Sequence, residues 1–275
     1  MKVVKTLRDQ AMGRATVRLV ETTAGYAGIV IAANGQTSTI SGDDQDDVWR
    51  RLCKEAAKSE PSFFGYDGAR NRFLRIFRNG FETPAYAQQE REYKVAAKQK
   101  LDEAVPLATA LDGTGLGEGV LSVFRATNLL SPFEKTRLQE ALRGPRADAF
   151  VHGAALFARG DIKRGLIEIE KALKPHAVAN WAAATYLPFL WDPNSHMFLK
   201  PEVTKKFASR VGHRFEHDYE SSLNSRVYES LLDLVANTER EIASLKPQDR
   251  IDLQSFIWVV GEYTVEHEAA IATSN

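Results

Sequence analysis

The feature that most constrains this chain is a change in hydrophobic period along its length. Residues 2–40 read as strands, with apolar and β-branched residues alternating most cleanly from Ala15 to Glu21. From about residue 67 the apolar positions recur every three or four residues instead. A period of two builds half-buried strands and a period near 3.6 builds amphipathic helices. Strands first and helices after predict an α+β fold rather than an alternating α/β one.

Three strands are readable. Ala15 to Glu21 is followed by the turn residues Thr22, Thr23, Ala24 and Gly25, then by a second strand from Tyr26 to Ala32. Asn34-Gly35 marks a hairpin turn that wants two positive φ angles, and Gln36 to Ser41 is the third strand. The expected unit is a three-stranded antiparallel meander. Asp43, Asp44, Asp46 and Asp47 then open a helix carrying Val48, Trp49, Leu52, Cys53 and Ala56 on one face. Carboxylates there offset the partial positive charge of the helix N-terminus. Residues 1–60 are thus expected to form a β-meander and helix module, residues 61–265 a helical body, and residues 266–275 a frayed tail.

Punctuation sets the helices of the body. Asp67 is a candidate cap for a helix bearing Phe73, Leu74 and Phe77, and Thr83-Pro84 opens a long one reaching about Glu103. Four glycines between Asp112 and Gly119 predict a flexible loop over 112–119. Ser131-Pro132-Phe133-Glu134 is a capping box. Helices are expected at 133–142, 147–159 and 162–173, then from Lys200-Pro201 to Val211-Gly212, from Ser225 to Leu245, and after Asp249. The apolar run Trp181 to Trp191 should be core.

Bulk numbers bound the function. Lys+Arg and Asp+Glu both count 36 in 275 residues, so no net field steers the molecule toward polyanions. A single cysteine, Cys53, excludes an internal disulfide framework. No apolar run approaches the roughly 20 residues of a membrane helix, and the first residues carry no signal-peptide apolar core. A cytoplasmic protein without a membrane partner is the expectation. Neither a Gly-x-x-x-x-Gly-Lys loop nor a Gly-x-Ser-x-Gly elbow occurs, and no cofactor is predicted.

Two motifs carry candidate chemistry. Residues 69–100 contain Arg70, Arg72, Arg75, Arg78, Arg91, Lys94, Lys98 and Lys100 against Glu82, Glu90 and Glu92. Arg91, Lys94 and Lys98 share a helical face, and Tyr66, Phe81, Tyr86 and Tyr93 are interleaved for stacking. That pattern predicts a non-catalytic binding surface for nucleic acid or a protein partner. A purely structural interaction module is the plainer alternative. The second motif, His213-Arg-Phe-Glu216-His217, has the H-x-x-E-H spacing of a zinc hydrolase, in which His213 and His217 would hold the metal. Its third ligand would have to be Glu262, Glu266 or Glu268. Gly212 directly before it looks like a helix stop, which favours a polar loop.

Thr185 to Trp191, His196 to Pro201 with Val203-Thr204-Lys205, and Asp249 to Trp258 resemble an uncharacterised bacterial family. Similar segments stand beside restriction- and defence-type modules in larger proteins. The resemblance spans about residues 180–260 and implies a genome-defence setting, without a residue role. Within it, His196, Lys200, Lys205, Asp252 and Gln254 are polar residues among large apolar ones, and could converge on a shallow pocket.

Overall fold

The computed structural model describes residues 2–264. It is α+β, and the sheet has four strands: β1 (Val3–Met12), β2 (Ala15–Thr22), β3 (Gly25–Ile31) and β4 (Thr37–Gly42), in sequential antiparallel order. The strand absent from the sequence expectation is β1. Nearly all of it is exposed or half-buried, and two register shifts against β2 break its alternation. An edge strand that buries little carries little periodic signal, and bulges shift what there is. Gly13, at φ +55°, makes the two-residue turn into β2. At Asn34-Gly35 only Gly35 takes a positive φ, because the loop closes over Ala32 to Gln36 rather than over two residues.

One face of the sheet packs on α1 (Gln45–Ala57). Met12, Val17, Leu19 and Val30 meet Val48, Trp49, Leu52 and Cys53 in a core separate from that of the body. Asp44 caps α1 by accepting from the Asp47 amide, as carboxylates there should. The module meets the body along a polar seam. Arg214 bonds Asp46 (2.9 Å), Arg50 bonds Asp233 (3.4 Å), and Arg8 reaches Asp218 (3.5 Å).

The body comprises α2 (Gly65–Ile76), α3 (Glu92–Ala104), α4 (Gly117–Arg125), α5 (Pro132–Leu142), α6 (Ala147–Ala158), α7 (Ile162–Leu173), α8 (Trp181–Trp191), α9 (Pro201–Val211), α10 (Ser225–Glu241) and α11 (Arg250–Glu262). Every residue of α8 is buried, and the helix packs against α6 and α3. Pro188 removes one amide within it. α11 lies against α2 and α9, where Gly261 lets the backbone approach Val203.

The 112–119 segment, expected as a flexible loop, is tied to α6 and is helical from Gly117. Asp148 accepts from the amides of Gly115 and Leu116, both at 3.0 Å, and α4 begins at Gly117. A Cβ at Gly117 would collide with the Leu142 carbonyl, so that glycine serves close packing. Asp67 lies in the first turn of α2 without capping it. The tail expected to fray, 266–275, lies outside the described residues. No described helix is long and apolar enough to cross a membrane.

Candidate ligand-binding site

The site grows from an irregularity in the helix that Thr83-Pro84 opens. After the turn Pro84–Tyr86 the chain makes a π-helical turn, Ala87–Arg91, before α3 begins at Glu92. A π turn inserts a residue into the helical register, and here the consecutive Glu90 and Arg91 both find partners toward α11. Lys94, one turn on, is fully buried between them.

On one side of that contact the network is closed. Arg91 donates to Asp249 at 2.8 and 2.9 Å and to Asp252 at 2.6 Å, and Tyr86 donates its hydroxyl to the same Asp252 oxygen. The other Asp252 oxygen accepts from the Gln248 amide (2.8 Å), and Asp249 caps α11 through the Ile251 and Asp252 amides. The Asp249 hydrogen bond holds the Arg91 guanidinium above its ordinary pKa, and burial pushes the Tyr86 hydroxyl up.

On the other side the network opens onto a cavity of about 210 Å³. Glu90 accepts from Lys94 (3.0 Å) and from the Tyr263 hydroxyl (2.7 Å), and Lys94 also donates to Ser255 (2.8 Å). Burial pulls the Lys94 ammonium below its usual pKa, against the opposing pull of Glu90. Tyr93, Leu129, Phe198 and Trp258 form the apolar wall, while Glu90, Asn128, Ser131, Lys200 and Gln254 supply the polar groups. Gln254 is 4% exposed, and its carbonyl oxygen has no hydrogen-bond partner among the described residues. Lys200 uses two of its three N–H bonds, on the Leu129 carbonyl (3.3 Å) and on Glu134 (3.1 Å). Glu134 is the capping-box carboxylate of α5. Burial would raise its pKa, but the Ser131 hydrogen bonds and Lys200 outweigh that and hold it low.

Of the five polar residues expected to converge, Lys200 and Gln254 line this cavity together. Asp252 faces Arg91 instead, one turn away from the opening. His196 is buried against the Phe157 ring and contacts the Ala158 carbonyl (3.0 Å), and Lys205 pairs with Glu202 over the Tyr219 ring. These three do not reach the cavity. Glu90 and Asn128 were missed as site residues, and Tyr93 was expected only as a stacking ring, because nothing local marks a π turn or the approach of chain segments far apart in sequence.

The shared cationic face expected of Arg91, Lys94 and Lys98 does not form. Arg91 and Lys94 turn inward to α11 carboxylate and hydroxyl partners, and Lys98 pairs with Asp102 (2.7 Å). Arg70 bonds Asp67 and the Glu241 carbonyl, and Arg72 bonds the Tyr263 carbonyl. Arg75 and Arg78 remain exposed. Phe81 and Tyr86 join Phe73 and Phe77 in an aromatic core cluster, and Tyr66 bonds Thr238, so these rings are unavailable for stacking on bases.

The H-x-x-E-H spacing does not make a metal pair. Gly212 ends α9 at φ +72°, and His213 follows in a new direction. Its Nδ1 accepts from the Phe215 amide (3.1 Å) and its Nε2 faces Asp233 (3.2 Å), so both ring nitrogens are engaged. Burial keeps the His213 ring below its usual pKa, hence neutral and donating to Asp233. Glu262 pairs with Lys206, Glu266 and Glu268 lie outside the described residues, and no cluster of three metal-ligating side chains occurs among the described residues. No family model, curated protein or solved structure matches this chain.

Proposed function

We propose that this protein is a non-catalytic binding protein that holds a small molecule in the cavity between α3, the 128–131 segment, Phe198–Lys200 and α11. The observation that carries this reading is Gln254, a buried amide with an unpartnered oxygen beside a cavity of about 210 Å³. A buried polar group without a partner costs about 1–3 kcal/mol, and Gln254 differs from Trp49 and Asn237, which also carry one, in lying beside a cavity. Aromatic walls with a few converging polar groups are the composition of a ligand site. Its charges are matched, Glu90 by Lys94 and Lys200 by Glu134, which suits holding a ligand better than activating a nucleophile.

The nucleic-acid reading of residues 69–100 draws no support from side chains turned into the body, and the resemblance over 180–260 adds no residue role. The test is a thermal-shift survey of small polar aromatic and aliphatic compounds. A ligand that raises the melting temperature of the wild type but not of Gln254→Leu supports the reading. Equal shifts in both proteins would place binding elsewhere.

A further inference from the structure

The wall chemistry narrows the ligand. We infer that the cavity takes a small zwitterion built like an α-amino acid with an aromatic or branched side chain. This rests on the cavity being a ligand site and specifies what fills it.

The polar rim offers one ammonium, Lys200, and one carboxylate, Glu90, each paired inside the protein and each with hydrogen-bonding capacity to spare. Lys200 keeps one N–H bond beyond those to Leu129 and Glu134, and can direct it to a carboxylate. Ser131 stands beside it, with its hydroxyl tied to Glu134 on the capping box. Each oxygen of Glu90 accepts one hydrogen bond and can accept another, so the same cavity holds a carboxylate able to receive an ammonium. A ligand with only one charge would use the spare capacity of one of these groups and leave that of the other unused. A zwitterion matches both.

Size and shape point the same way. A volume of about 210 Å³ is the room of about seven waters, enough for one ring or branched chain with its ionised groups. Tyr93, Phe198 and Trp258 would cover the apolar part, with the Gln254 side chain at its edge.

Isothermal titration of the full chain with phenylalanine, 3-phenylpropionate, phenethylamine and adenine tests this. Phenylalanine should bind at least about tenfold tighter than the analogue lacking its ammonium and the one lacking its carboxylate. Lys200→Met should weaken phenylalanine at least about tenfold and weaken phenethylamine by less. Should that variant melt early, the four titrations of the wild type decide alone. Equal affinity for a singly charged analogue, or preference for neutral adenine, overturns the zwitterion while the cavity reading stands. No binding by any compound, with no shift anywhere in the thermal survey, overturns both.

Discussion

Two polar clusters lie side by side where the helix from Pro84 to Ala104 meets α11, and they differ in completeness. Around Arg91, both oxygens of Asp252 are engaged, one by Arg91 and Tyr86 and the other by the Gln248 amide. Around Glu90, the network runs through Lys94 and Tyr263 and then opens beside Gln254, whose oxygen has no partner. Both clusters bury charge against the same helix, so burial alone does not mark function. The closed cluster fixes the fold, because each charge there is compensated in place. The open one leaves polar groups whose compensation must come from something else.

The largest expected effect comes from breaking the closed cluster. Arg91→Ala strands the fully buried Asp252 carboxylate and should cost about 3–5 kcal/mol in denaturant unfolding. A loss below about 1 kcal/mol would mean that the knot is ornamental.

Next in size is the pH dependence carried by two buried histidines, His213 at the seam between sheet module and body and His196 within the body. Burial holds His213 and His196 below their usual 6.5, so the unfolded chain binds protons that the folded one refuses. Stability should therefore fall as pH drops below about 6.5. Burial would raise Asp233, but the His213 hydrogen bond and the Arg50 and Arg214 guanidiniums outweigh it and depress its carboxyl. Its contribution is present above the ordinary carboxylate range and disappears at lower pH. Melting curves from pH 8 to 3 should show two successive losses, and His213→Gln should flatten the first. A flat profile between pH 7 and 5 would contradict the neutral, buried histidines.

The smallest effect should come from the exposed cations. Arg78→Glu or Lys98→Glu should change stability by less than about 1 kcal/mol, since exposed charges and surface pairs contribute little. The same variants should leave retention on a DNA or RNA column unchanged. Salt-dependent retention lost on substitution would restore the basic stretch as a binding surface.

What the sequence reveals here is what is local. The Ser131–Glu134 capping box, the Gly212 stop and the Asp249 cap are readable because each is satisfied within a few residues of itself. Lys200 and Gln254 stand out as polar residues in apolar company. The inward turn of Arg91 and Lys94 is not readable, since Asp252 and Ser255 lie about 160 positions away on α11, and only the Glu90 partner of Lys94 is local. Helical spacing placed them with Lys98 on a single face, and a π turn with distant carboxylates decided otherwise. β1 escaped for the opposite reason, because an exposed edge leaves no alternation to read.

The most direct measurement is the unfolding free energy of ligand-free Gln254→Leu against the wild type. An amide kept for a ligand contributes nothing to the empty fold, so the variant should be as stable or more stable, by up to about 1 kcal/mol. A loss of more than about 1 kcal/mol would show that Gln254 is part of the packing, and that the open cluster is as structural as the closed one.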